Sequence, residues 1–380
     1  MTAIQQMKQG NAIGILRLLR ETPLSRAELA RRMGLTRAAV TGIVDDLLGA
    51  GLVREGEPAK TTKGRRPTML RLSPDAFCAV GIDVSREGTS LCFLDFTMRP
   101  IREQSWGADL PTEQVLSGIT AAVREVGKAA HLLGIGVVAP GPVDCTAGRI
   151  AHPVGLEKWH DFCISALETQ LSLPTVLKKD TSALAIAEKS RLGFGGSFLV
   201  LLADHGLGGG YVYNGKLFEP SAGLGCELGH VSIDASGAQC GCGNRGCAEL
   251  YASIPATLMR ARQRGLNVSF EELVSLALAG ESVALQTMEE QADALAAVCV
   301  GAVNMLEPEC IVLEGKLAAA HPFLKERIER ALSSRCFTEQ GRTVQIQASA
   351  LPHNARAFSA ANLILESFFE DKAYDHLGKL

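Results

Sequence analysis

Three cysteines crowd into eight residues, Cys240-Gly241-Cys242-Gly243-Asn244-Arg245-Gly246-Cys247, ten residues after His230. One imidazole and three thiolates make the tetrahedral donor set of a structural Zn²⁺ site. The glycines between them let the backbone turn tightly around an ion. Unligated cysteines in an ordinary loop would leave so dense a spacing beside a histidine without a reason. The total of eleven cysteines is odd, and the other eight are scattered singly. That is no disulfide framework; in a reducing compartment the cluster reads as metal ligands and the rest as small buried hydrophobes.

The elements that would hold such a loop are strands alternating with helices. Ala79 to Asp83 and Thr89 to Phe96 read as strand, turn, strand. Phe198 to Asp204 and Gly209 to Tyr213 repeat that plan, closed by Asn214-Gly215, a strong hairpin signal. Two such starts, each followed by helices, predict an α/β body of two lobes with a cleft between them.

The N-terminal segment follows a different pattern. Residues 1–73 carry 13 Lys and Arg against 6 Asp and Glu, although the whole chain has a net charge of −3. A basic head on an acidic body points to a polyanionic partner for the head. Asn11 to Arg20 reads as a first helix with Ile13, Leu16 and Leu19 inward. Ser25-Arg26-Ala27-Glu28 is a capping box that opens a second helix, and Gly34 is free to end it at positive φ. Thr36 then caps a third helix whose Val40, Ile43, Val44 and Leu47 form one stripe. This leaves Arg37, Ala38 and Thr41 outward, beside Thr36, at the end of the helix that enters the major groove in a helix-turn-helix. Gly51-Leu52-Val53 begins a β-wing, and Gly64-Arg65-Arg66-Pro67 would suit a narrow, electronegative minor groove through Arg65 and Arg66. A protein-binding three-helix module is the competing reading of this head.

The composition is that of a globular chain, with 47% hydrophobic and 21% charged residues. No apolar run approaches a membrane span, and Met1 to Gln5 lacks the layout of a secretory signal, so a cytoplasmic protein is expected.

Glu227-Leu228-Gly229-His230 followed by the cysteine cluster resembles the zinc motif of the ROK family, which contains repressors and sugar kinases of the actin-like ATPase fold. Val137-Val138-Ala139-Pro140-Gly141-Pro142-Val143-Asp144 is similar to the family's Pro-Gly-x-Val-Asp turn. Leu173 to Glu188 is similar to its catalytic-aspartate segment, and Gly301 to Gly315 to its adenosine side. The head with Gly-Arg-Arg-Pro resembles that of the family's repressors.

The resemblance implies an α/β chain with a winged helix-turn-helix and basic linker over 1–73. A sugar-kinase-like sensing domain would follow over 74–380, with lobes of roughly 74–195 and 196–365 and a returning C-terminal helix. It implies a structural Zn²⁺ on His230, Cys240, Cys242 and Cys247. It also implies sugar hydroxyls read at the positions of Lys179, Asp180, Glu227, His230 and Glu249, although the family has Asn where Lys179 stands. One ring nitrogen of His230 would hold zinc while the other faces the sugar.

On the nucleotide side the chain departs from the kinases. Asp83-Val84-Ser85-Arg86-Glu87 replaces a glycine-rich phosphate hairpin. Asp204-His205-Gly206 replaces a Gly-Thr-Gly turn, and Glu314-Gly315 replaces a Gly-Gly. The expectation is a homodimeric or tetrameric, sugar-responsive repressor that binds a double-stranded operator and is not an enzyme. The alternative is an active sugar kinase with a fused DNA-binding head.

Overall fold

The computed structural model describes residues 3–58, 67–153, 155–193, 195–219, 225–337 and 343–370. Arg65 and Arg66 lie outside these residues.

The head consists of α1 (Ala3–Glu21), α2 (Arg26–Met33), α3 (Arg37–Gly49) and an antiparallel hairpin of β1 (Val53–Pro58) and β2 (Thr68–Leu72). Apolar spacing locates only the core-facing stretch of α1, which in fact begins at Ala3. The capping box of α2 forms as expected: Ser25 Oγ accepts from the Glu28 amide, and the Glu28 carboxylate accepts from the Ser25 amide. Gly34 closes that helix at φ 65°. The stripe of Val40, Ile43, Val44 and Leu47 is buried with Ile13, Leu16 and Leu19. Leu24 adds a bridge to Leu70 of the wing, exchanging both backbone hydrogen bonds with it.

The body follows with β3 (Cys78–Ser85), β4 (Gly88–Asp95), β5 (Pro100–Gly107), α4 (Thr112–Val126) and β6 (Leu132–Ala139). Next come a small pair of β7 (Val143–Asp144) and β8 (Arg149–Ile150), then α5 (Ser165–Leu171) and β9 (Thr175–Lys179). The first sheet runs β5-β4-β3-β6-β9, antiparallel among its first three strands and parallel from β3 to β6.

The second half begins with α6 (Asp180–Leu192), β10 (Phe198–Ala203), β11 (Leu207–Tyr213) and β12 (Lys216–Leu217). It continues with α7 (Glu249–Ala252), α8 (Ile254–Gln263), α9 (Phe270–Leu278) and α10 (Ser282–Leu306). It closes with β13 (Cys310–Glu314), α11 (Lys316–Arg335), β14 (Gln345–Ala348) and α12 (Ala355–Phe369). Its sheet, β12-β11-β10-β13-β14, repeats the plan of the first: an antiparallel hairpin, then parallel strands. Central strands such as β10 and β13 are buried along their whole length, which is why they read as unbroken apolar runs.

Contacts group the chain into two compact units: Met1–Val138 with Cys163–Leu177 and Ala360–Leu380, and Ala139–Phe162 with Lys178–Ser359. In the first unit the end of α12 lies on β6. A Cβ on Gly136 would stand 1.9 Å from the Ala360 carbonyl oxygen, so only glycine permits that approach. Phe368 and Phe369 complete an aromatic cluster with Phe77 and Phe96, at centroid distances of 5.2–5.4 Å. From this cluster the helix reaches the head. Arg17 Nε donates to the Phe369 carbonyl at 2.6 Å, and Arg20 pairs with Glu366 while lying over the Phe369 ring.

In the second unit the largest core gathers under α8 to α11 around Leu295, Ile311, Leu313 and Leu324. Among the described residues no helix is long and apolar enough to cross a membrane.

Candidate functional site

Strand β11 carries Gly208-Gly209-Gly210 directly after its first residue, Leu207, and the lack of side chains there lets other parts of the second unit approach. A Cβ on Gly210 would lie 2.1 Å from the Thr181 carbonyl oxygen, and one on Gly208 3.0 Å from Thr181 Cγ2. A Cβ on Gly209 would lie 2.7 Å from Leu228 Cδ1. The strand therefore positions the start of α6, which carries Asp180, and the short turn Leu228–His230, which follows Glu227. Gly229 presses on the Leu207 backbone in the same way, with its Cβ position 2.2 Å from that carbonyl oxygen.

The expected sugar residues fall at these points. Asp180 is buried, and its Oδ1 accepts from the Thr181 amide at 2.6 Å. Burial pushes its carboxyl above the usual range, and Arg356 and Lys179 oppose that shift. Lys179 Nζ donates to Glu227 Oε1 at 2.7 Å and to the Gly225 carbonyl at 3.3 Å, with only 6% of its side chain exposed. Gly141 of the Pro-Gly turn lies against this ion pair; a Cβ there would be 3.3 Å from Glu227 Oε1 and 3.8 Å from Lys179 Cε.

Glu249 is committed to a different contact: its Oε2 accepts from the Leu207 amide at 3.1 Å, directly after the Asp204-His205-Gly206 bend. A Cβ on Gly206 would be 2.5 Å from that oxygen. In the same bend Asp204 Oδ2 pairs with Arg356 at 2.7 Å. Arg356 has no signal in the sequence, because it stands alone on α12, more than 150 residues away from the bend.

Glu314, at the end of β13, is also buried. Its Oε2 accepts from the Gly315 amide at 2.9 Å, and Ser349 Oγ lies 3.0 Å from its Oε1. The same hydroxyl lies 2.5 Å from Glu188 Oε1, while Arg191 Nε donates to Glu188 Oε2 at 2.6 Å. A hydroxyl has one proton to donate. Its proton therefore goes to one of these two carboxyls at a time. Burial, the largest influence on Glu314, raises its carboxyl above the usual carboxylate range. In the first unit the β3–β4 hairpin turns through Arg86 and Glu87, with Ser85 Oγ donating to the Gly88 carbonyl at 3.1 Å.

The expected metal ligands come together. The candidate ligand atoms of His230, Cys240, Cys242 and Cys247 all lie within 4.8 Å of one another. Cys242 and Cys247 Sγ are 3.7 Å apart, and Cys240 Sγ is 3.8 Å from His230 Nδ1. Tetrahedral zinc with Zn–S bonds of about 2.3 Å requires S–S edges of about 3.8 Å, so the donor set fits this ion. Burial, then the neighbouring thiols, push Cys247 up to about 12, so its thiolate would need a cation beside it. Gly246, at φ 60° with its Cβ position 1.7 Å from the Asp234 carbonyl oxygen, brings the loop back on itself. Of the eight scattered cysteines, Cys78, Cys92, Cys299 and Cys310 are buried and the others half-buried; all are free thiols.

On the head, Thr36 Oγ1 caps α3 by accepting from the Ala39 amide at 3.2 Å. Thr36, Arg37, Ala38 and Thr41 are all exposed. Thr41 Oγ1 bonds back to the Arg37 carbonyl at 2.8 Å. The wing adds what the sequence reading missed: Arg54 and Arg71 are exposed and directly opposed across β1 and β2. Like charges so placed repel each other, so the pair makes sense facing a polyanion.

The chain thus joins a winged helix-turn-helix head to an α/β body with two similar sheets and a Cys/His cluster. The chain belongs to the ROK family, whose profile matches residues 79–367, and the MarR family profile matches residues 9–62. It is 27% identical to the xylose repressor of Bacillus spizizenii over 93% of this chain and 94% of that protein. Among solved structures it is similar to a ROK family transcriptional regulator described as a homologue of the Escherichia coli MLC protein. That likeness has a TM-score of 0.79 and 22% identity, covering 96% of this chain and 98% of the other. It also shares its fold with a ROK family glucokinase from Streptomyces griseus solved with glucose and AMPPNP. There the TM-score is 0.67 at 23% identity, over 75% of this chain and 98% of the kinase.

Proposed function

We propose that this protein is a sugar-responsive, DNA-binding repressor whose kinase-like body binds a sugar effector and no longer handles ATP. The observation that carries this reading is the Asp204-His205-Gly206 bend. A phosphate turn must offer free amides to a polyanion, yet here Glu249 holds the Leu207 amide and Asp204 carries a carboxylate paired with Arg356. Glu87 adds a carboxylate at the position of the kinases' glycine-rich phosphate hairpin. Carboxylates placed where a triphosphate would bind oppose it electrostatically. The full-length similarity to a xylose repressor supports the same reading.

In this reading Asp180, Glu227, His230 and Glu249 take sugar hydroxyls, since each carboxylate accepts two donors. Glu249 would keep the Leu207 amide on Oε2 and offer its other oxygen to a hydroxyl. A structural Zn²⁺ on His230, Cys240, Cys242 and Cys247 would neutralise the thiolates and brace the loop; His230 then presents its second ring nitrogen to the sugar. Two heads in a symmetric dimer would meet the half-sites of an operator through Thr36, Arg37, Ala38 and Thr41, with Arg54 and Arg71 on backbone phosphate. Arg65 and Arg66 would enter the minor groove. The sugar shifts DNA binding only by favouring one of two conformations.

The competing reading, a working sugar kinase, is favoured by one observation: Asp180 remains as a buried carboxyl at the position of the catalytic base. ATP turnover by the purified chain with a panel of pentoses and hexoses separates the two. Background-level turnover, together with sugar-dependent operator binding, is expected. Phosphorylation at an ordinary enzymatic rate would reverse the assignment.

A further inference from the structure

The balance of charge in the second unit indicates what kind of sugar fits. Two cations stand near Asp180: Lys179 and Arg356. Both are already matched within the same unit, Lys179 to Glu227 at 2.7 Å and Arg356 to Asp204 at 2.7 Å. Lys179, the residue that replaces the family's asparagine, reads by itself as a landing point for an anionic group. Its geometry says otherwise. The ammonium is nine-tenths buried, is turned onto Glu227, and gives a second hydrogen bond to the Gly225 carbonyl. Gly141, without a side chain, lets the Pro-Gly turn close over the pair. Among the described residues assigned to the sugar, the groups left for a ligand are Asp180, the outer edge of Glu227, which is 35% exposed, Glu249 and the His230 ring. Carboxylates accept hydroxyl protons and repel phosphate and carboxylate groups.

Resting on the sugar-sensing reading above, we infer that the Lys179–Glu227 ion pair makes this pocket selective for a neutral, unphosphorylated sugar, with Lys179 serving to neutralise the pocket's own carboxylate. An acid or phosphate group would have to break that pair or sit beside Asp180 without a cation of its own. A neutral polyol meets these acceptors and the His230 ring without adding a charge. Glu227→Gln removes the partner of Lys179 and leaves a buried, uncompensated ammonium, which an anionic sugar would then satisfy.

The test is calorimetric titration of the full-length protein with neutral sugars and their anionic counterparts. The pairs are D-glucose against glucose 6-phosphate and glucuronate, N-acetylglucosamine against its 6-phosphate, and D-xylose against xylonate. The wild type should prefer a neutral parent over its anionic derivative by at least about tenfold. Glu227→Gln should narrow or reverse that ratio by at least about tenfold, and Lys179→Met combined with Glu227→Gln should restore the neutral preference. Because the readout is a ratio within one variant, a general loss of folding moves both ligands together and does not imitate the result. An anionic sugar that binds the wild type more tightly than its parent, or a ratio unmoved by Glu227→Gln, overturns the inference while leaving sugar sensing intact. Silence across both columns overturns sugar sensing itself, and this inference with it.

Discussion

Replacing Gly210 by alanine is the sharpest probe of how the proposed sugar site is positioned. The new Cβ would stand 2.1 Å from the Thr181 carbonyl oxygen, whereas C···O contacts close no further than about 3.3 Å. Strand β11 and the start of α6 must then separate by about 1 Å. The atom met is backbone, so no side-chain rotation relieves the contact. Overpacking of this kind costs about 1–3 kcal/mol. The displaced segment carries Asp180, and binding groups must keep their geometry within about 0.5 Å. Loss of the effector is therefore expected to exceed the loss of stability.

If the effector dissociation constant rises about a hundredfold, the stabilisation it confers at a hundredfold excess falls from about 2.7 kcal/mol to well under 1 kcal/mol. Thermal melts of the full-length protein with and without the sugar measure both effects, and operator binding by the head should survive. Gly208→Ala is the graded control, because its Cβ would meet only the Thr181 methyl at 3.0 Å. A Gly210→Ala protein with an unchanged melt and unchanged sugar affinity would show that this strand does not position the pocket.

Removing metal by a strong chelator, or Cys247→Ser, should release about one zinc per chain by elemental analysis and lower the melting temperature; protein that contains no zinc as purified contradicts the ligand set. Glu314 titrates above its ordinary value in the folded chain, so its contribution to stability is complete at acid pH and is lost as pH rises through that raised value. Glu314→Gln should therefore melt with less dependence on pH over that window; an identical pH profile would mean that Glu314 is ionised in the fold. Glu366→Ala leaves Arg20 without its carboxylate at a contact only 14% exposed on each side. It should cost about 1–3 kcal/mol and weaken operator binding through the head; unchanged melting and DNA affinity would mean that α12 does not support α1.

The sequence alone determined what is local. The capping box at Ser25, the helix end at Gly34 and the stripe of α3 depend on neighbours within a few residues, and backbone physics makes them legible. The Cys/His loop was legible because its four candidate donors lie within 18 residues and their chemistry is rare. The repeated strand-hairpin plan was legible for the same reason: alternation and Asn-Gly turns are short-range signals. The resemblance placed Asp180, Glu227 and Glu249, but not what each of them touches.

Only the tertiary structure turned Lys179 from a spare cation into the partner of Glu227, placed Glu249 on the Leu207 amide, and brought Arg356 to Asp204. It also set Arg54 against Arg71, which needed the register of a hairpin whose connecting residues carry no pairing pattern. These are pairings between groups well separated along the chain. A long cation's partner depends on which carboxylate folding brings within 3 Å or so, and no spacing in the sequence encodes that.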